Sequence, residues 1–168
     1  HVRSRRQRQM CIRDRPDPRE DLSGNDVGRK LLILARELDL HNEFADINIE
    51  NLIPKKLQDG QVDFFLQHLE VLDTKFNEIK KNQKPDHVLR YVGDLHGNLQ
   101  KEKGVLDVKL VSVPKESALG QVKGSDSIIE IYTESYGENP LVIQGAGAGA
   151  AVTARGVFGD ILRIAEKG

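Results

Sequence analysis

The sequence predicts an α+β fold, a mixed sheet covered by helices, on three observations. Apolar residues in the first half recur at helical spacing, as in "VGRKLLILAREL". From His87 onward the texture changes to short runs rich in Val, Ile and Tyr. The resulting order is helix, strand, helix, four strands and helix, not a tandem of strand–helix–strand units. At 168 residues the chain has room for one core, hence one domain or a piece of one.

Each element has its own signal. "DLSGNDVGRKLLILAREL" offers Ser23 as an N-cap with Asp26 three residues on, the capping-box pattern, ahead of Val27, Leu31, Leu34 and Leu38 at helical spacing. A helix is expected from about Asn25 to Leu38. "ADINIENLIP" alternates in part through Ile47, Ile49 and Leu52 and reads as a short strand closed by Pro54. Val62, Phe65, Leu69, Leu72, Phe76 and Ile79 make one stripe, which predicts a continuous helix from about Gln61 to Asn82, stopped by Pro85. "HVLRYVGDL", "VLDVKLVSVP", "SIIEIYTES" and "PLVIQ" follow as strands. The first two are joined by "HGNLQKEKG", a polar hairpin loop. A last helix runs from about Ala150 to Glu166, with Val157, Ile161 and Ala165 on one face.

Composition excludes several function classes. With 38% hydrophobic and 30% charged residues, the chain falls outside the disordered, collagen-like and membrane classes. No uncharged apolar run reaches the roughly 20 residues of a bilayer span. The first fifteen residues carry six Arg and one Asp, so a tail of +5 in a chain of −1 leaves a body of −6. An acidic body argues against nucleic acid as a partner, because duplex affinity rests on neutralising phosphates. The tail, residues 1–15, lacks the apolar repeat of a transit peptide and reads as a disordered, non-native addition; "MCIRDR" resembles translated adapter sequence. Cys11, the sole cysteine, lies in it. The five His residues show no metal-ligand spacing, and no metal site is expected.

Two features bear chemistry. "GAGAGA" places Gly145, Gly147 and Ala150 after a strand and before a helix, the looser dinucleotide fingerprint. Only 18 residues follow Ala150, with no second parallel strand and no acidic residue to hold a ribose. The glycines therefore serve either tight helix packing or a close approach to a ligand held mainly by another domain. No Gly-Lys-Ser/Thr follows, which excludes a phosphate loop. The second feature is Asp21, Asp26 and Lys30. Asp26 and Lys30, four apart, form at least an ordinary surface pair; on one helix face they could also meet one small polar substrate, the lysine donating a proton to a forming alkoxide.

"PDPREDLSGNDVGRKLLILAREL", "NLIP", "LRYVG", "GSDSIIEIYTESY" and "PLVIQGAGAGAAVTARGVFGDILRIA" together resemble the catalytic and C-terminal part of homoserine dehydrogenase, in the same order. The resemblance covers residues 16–168; its glycine block is most similar to the single-function fungal type, "LRYVG" and "DVGRKLLILAREL" also resemble the enzymes fused to aspartate kinase, and both types stay open. It implies interconversion of L-aspartate 4-semialdehyde and L-homoserine with NADP or NAD, on the route to threonine and methionine. It implies Lys30 as the catalytic lysine, Asp21 and Asp26 as carboxylates that hold the substrate's amino end or organise the lysine, and Gly147 and Gly149 as the loop that touches the cofactor. Residues 16–140 then form the substrate-binding and dimerisation domain, and 141–168 return to the cofactor domain, so that the last helix packs on a Rossmann domain absent from these residues. A homodimer is implied, in the cytoplasm or, in a plant or alga, the plastid.

Three residues depart from the family pattern. Arg15 stands where the family carries a substrate-contacting Glu, Gly28 replaces Ala inside the helix at a propensity cost of about 1 kcal/mol, and Arg155 sits at a common Ala position. With the nucleotide domain absent, the chain alone is expected to bind cofactor weakly and turn over little. The competing readings are a non-catalytic interaction module using the Arg-rich arm and a small-ligand domain using the glycine loop alone.

Overall fold

The computed structural model describes residues 17–98, 100, 102–124, 126–147 and 149–167. The expected disordered tail lies outside them. The described residues divide into two compact units, 17–114 and 115–167.

In the first unit, α1 (Arg19–Leu22) and α2 (Asn25–Glu37) lead through a 3₁₀ turn, Phe44–Asp46, into β1 (Asn48–Ile49). Three helices follow, α3 (Lys55–Gln58), α4 (Val62–Gln67) and α5 (Glu70–Lys81), and then β2 (His87–His96) and β3 (Val105–Pro114). The sheet is mixed. β3 lies in the centre, parallel to β1 and antiparallel to β2, in a register running from His87 opposite Pro114 to His96 opposite Val105. The expected hairpin is therefore present at full length. Its loop is fixed from outside: the buried side chain of Asn42 donates to the Gly104 carbonyl (3.0 Å) and accepts from its N–H (2.9 Å).

The core has two parts. Leu31 and Ala35 of α2 pack with Leu40, Ile47, Leu106 and Val108, flanked by Val27, Ile49, Tyr91 and Leu95. Small residues set the spacing: a Cβ on Gly28 would meet Ile49 at 3.0 Å, and one on Gly93 would meet Leu31 and Val27 at 3.3 Å. Gly28, a propensity cost from sequence, thus lies buried where an alanine would be crowded. The buried stripe of α2 also differs from the expected one. Leu34 and Leu38 are exposed, and Gly28, Leu31 and Ala35 face the sheet instead. The second cluster, Ile53, Leu57, Phe65 and Leu72, joins α3, α4 and α5.

The single helix expected over 61–82 is two. After Gln67 the backbone changes to i→i−3 bonds, His68 to Phe65 (3.1 Å) and Leu72 to Leu69 (2.9 Å), while His68 Nδ1 meets the Phe64 carbonyl at 2.8 Å. The imidazole takes a carbonyl that the next turn would have used, and the chain bends there. Ser23 does not cap α2 either. Its hydroxyl donates to the Glu20 carbonyl (2.8 Å), closing α1, and the N-cap is Gly24 in the left-handed region at φ +83°. The strand expected through Leu52 is limited to two residues, and Pro54 starts α3 where it was expected only to end a strand.

In the second unit, Ser117 caps α6 (Ala118–Gln121) by accepting from Gly120 N–H (3.0 Å). β4 (Asp126–Ile131) and β5 (Leu141–Ala146) pair antiparallel with Ile129 opposite Ile143, and α7 spans Ala150–Lys167. The four expected β runs thus form two sheets. No helix among the described residues is long and apolar enough to cross a membrane.

Candidate functional site

Asp21, Asp26 and Lys30 are placed by the Ser23–Gly24 turn. Asp21 is exposed on α1, and Asp26 lies in the first turn of α2, where the positive end of the helix dipole favours a carboxylate. Lys30 Nζ lies 2.9 Å from Asp26 Oδ2, with the lysine side chain 72% exposed. The expected pair is therefore formed, on the face of α2 turned away from the sheet. That face also carries exposed apolar residues, Ile33 and Leu34. The carboxylate–ammonium pair is thus flanked by apolar side chains on an open surface.

The turn itself rests on residues that carry no motif. Tyr91 of β2 lays its hydroxyl against Gly24 and donates to the Glu50 carbonyl at 2.6 Å. A Cβ on residue 24 would collide with that hydroxyl. Burial, with the Glu50 charge in second place, raises the Tyr91 pKa and keeps the phenol a donor. Before the turn, Arg19 forms a forked pair with Asp17 (2.6 Å at the shortest) and donates to the carbonyls of Gln58 and Gly60. The hydrogen-bonded guanidinium holds the Asp17 carboxyl below its usual range. An open, mostly polar cleft of ≈ 300 Å³ beside this segment is lined by Asp17, Glu20, Ser23, Asn25, Asn51 and Gln58. Asp21, Asp26 and Lys30 do not line it.

In the second unit, Gly147 follows β5 and is exposed, and Gly149 adopts φ +136°, a conformation side chains rarely reach. The Gly149 carbonyl opens α7 by accepting from the N–H groups of Val152 and Thr153, both at 3.1 Å. Nothing lies within 4 Å of where a Cβ on Gly149 would stand. The glycine backbone thus presents an open approach at a helix N-terminus among the described residues.

Elsewhere Asp94, His96 and Asp107 converge on the β2–β3 ladder. Asp94 and Asp107 are directly paired like charges, which is unfavourable in a ladder without a counter-charge. Lys109 supplies it, 2.8 Å from Asp94 and 3.7 Å from Asp107, and its own pKa is raised by the hydrogen bond to Asp94.

Residues 9–162 match the family described as homoserine dehydrogenase. The chain belongs to the homoserine dehydrogenase family. It is 44% identical to the homoserine dehydrogenase of Paracoccidioides brasiliensis, over 90% of this chain and 41% of that protein. It is 43% identical to the bifunctional aspartokinase/homoserine dehydrogenase of Haemophilus influenzae, over 90% of this chain and 18% of that protein. Its fold is similar to a crystal structure of a Candida auris protein of unknown function, at TM-score 0.73 and 37% identity, covering 90% of this chain and 42% of that one. The chain therefore spans about two-fifths of its fungal relatives, and the α+β architecture is that of the family.

Proposed function

We propose that this homoserine dehydrogenase segment carries the substrate-binding and proton-handling groups of an NAD(P)-dependent interconversion of L-aspartate 4-semialdehyde and L-homoserine. The observation that carries the reading is the Asp26–Lys30 pair on the open face of α2, in a chain of this family. Asp21 and Asp26 hold the substrate's ammonium group or orient Lys30. When bound, NADPH or NADH supplies a hydride to the aldehyde carbon. Lys30 gives its proton to the carbonyl oxygen as that oxygen becomes an alkoxide, and recovers one from solvent. In the reverse direction the deprotonated amine takes the homoserine hydroxyl proton. Gly147 and Gly149, with no side chain to hinder approach, meet the cofactor beside its reactive ring. We assign residues 16–140 to the substrate and dimer domain and 141–168 to the return toward the cofactor domain. The assembly is a homodimer, in the cytoplasm or, for a plant or alga, the plastid.

The test is reduction of L-aspartate 4-semialdehyde by the full-length natural protein, followed as NADPH oxidation with homoserine as product. Lys30→Met should lower kcat by about 100-fold or more, the size of a lost general acid. The 168-residue chain alone should turn over little or nothing, since most of the cofactor contacts lie outside it. Turnover undiminished by Lys30→Met would remove Lys30 from the reaction, and rapid turnover by the chain alone would overturn the need for a further domain.

A further inference from the structure

We infer that Tyr91 is a positioning residue for this reaction: its hydroxyl fixes the Ser23–Gly24 turn and with it the placement of Asp21 relative to Asp26 and Lys30. The inference rests on the reaction proposed above, and the geometry supplies the rest. Asp21 lies on α1, Asp26 and Lys30 lie on α2, and the pivot between them is a residue at φ +83° with no side-chain cap. Short bonds tie Ser23 back to α1, through its N–H to the Arg19 carbonyl (2.8 Å) and its hydroxyl to the Glu20 carbonyl (2.8 Å), while the links from the turn forward to α2 and across to Leu52 are longer. Ser23 Oγ accepts from Asn25 N–H at a long 3.3 Å, and Leu52 N–H reaches back to the Leu22 carbonyl at 3.2 Å.

The tight constraint comes from the sheet. The Tyr91 hydroxyl is anchored on the Glu50 carbonyl at 2.6 Å. Glu50 is held in turn on β3, donating its N–H to the Val108 carbonyl (2.7 Å) and accepting from Leu110 N–H through its carboxylate (3.0 Å). The phenol oxygen is thus a fixed point of the sheet, and Gly24 lies against it with Ile49 on the same side. Removing that oxygen opens a gap under the pivot while leaving the ring in the core. Even a displacement of about 1 Å between groups that share a substrate is costly, because orientation supplies much of the rate.

The experiment uses the full-length natural protein and compares Tyr91→Phe, Gly24→Ala, their double substitution, and Leu106→Ala as a core substitution away from the turn. Tyr91→Phe should lower kcat/KM about tenfold, mostly through KM, at temperatures where the protein is fully folded. Leu106→Ala should melt earlier than Tyr91→Phe and yet keep kcat/KM within about twofold, since it disturbs packing without touching the turn. Gly24→Ala should fall further than Tyr91→Phe, and adding Tyr91→Phe should recover part of that loss by removing the atom the new methyl strikes. Two results overturn the positioning role alone: unchanged kcat/KM in Tyr91→Phe, or equal losses in Tyr91→Phe and Leu106→Ala. An unsubstituted protein inactive on L-aspartate 4-semialdehyde overturns the reaction and the inference with it.

Discussion

Residues 17–114 and 115–167 both carry β runs rich in Val and Ile and treat their apolar side chains in opposite ways. The first unit encloses two buried clusters, with Ala35 and Val108 at 0% exposure. In the second, no described residue is buried: Ile143 is 53% exposed, Phe158 61% and Ile164 73%. Hydrophobic content alone therefore does not make a core. The first unit has a helix laid on a sheet with small residues at the contact, whereas the second has a two-stranded ladder, and an isolated ladder of that kind is marginal in water.

The contrast is broken most strongly by two phenylalanines. Phe65 is 1% exposed and packs with Ile53, Leu57 and Leu72, with the Arg19 guanidinium 5.8 Å from its ring. Phe65→Ala should cost about 3–5 kcal/mol by removing buried surface and leaving a cavity. Phe158→Ala, at a position already in solvent, should change the stability of the 168-residue chain by under about 0.5 kcal/mol. Urea unfolding of the two variants measures both. Equal losses would show that the second unit has a core of its own.

Legibility in the sequence did not follow burial, for a physical reason. The α2 helix, the β2–β3 hairpin and the 150–167 helix follow from local periodicity and turn chemistry, which one sequence displays. What was missed depends on contacts between distant residues. The break at His68 arises from an imidazole that competes for the Phe64 carbonyl, and the stripe through Phe65 and Leu72 continues in register across it. Gly24 gives itself away only once Tyr91, 67 positions later, lies against it. Of the stripe expected on α2, Val27 and Leu31 pack in the core, whereas Leu34 and Leu38 are exposed and the smaller Gly28 and Ala35 take the places close to the sheet. The Asp26–Lys30 pair was visible from spacing, but its chemical meaning came from resemblance, since an i, i+4 pair occurs on most charged helices.

A smaller effect sharpens the contrast within the loop ends. Asn42, 1% exposed, closes the β2–β3 hairpin by pairing with both polar groups of Gly104 across 62 positions. The second unit's hairpin has no comparable clamp among its described hydrogen bonds. Asn42→Ala leaves the half-buried N–H and carbonyl of Gly104 without this partner and should cost about 1 kcal/mol. Hydrogen exchange at Gly104 should rise with it, while the amides of β4 and β5 should be unaffected. An Asn42→Ala variant as stable as the parent would mean that water replaces the clamp.

The smallest effect on stability is expected at Lys30, and its smallness is informative. A lysine held for structure would be buried or would bridge distant elements. Lys30 does neither: its side chain is 72% exposed and its ion pair is with Asp26, one turn away on the same helix. Such pairs contribute about 0.3–0.5 kcal/mol, and methionine is nearly as good a helix former as lysine, so Lys30→Met should move the unfolding free energy by no more than about 0.5 kcal/mol. Asp26 keeps its favourable place at the positive end of the α2 dipole when the ammonium is gone. The same substitution removes the proton donor assigned to the reaction. Stability and turnover should therefore separate at this position. A loss of several kcal/mol in chemical denaturation of Lys30→Met would instead show that the lysine holds α2 in place, and a fall in kcat could then no longer be attributed to its proton.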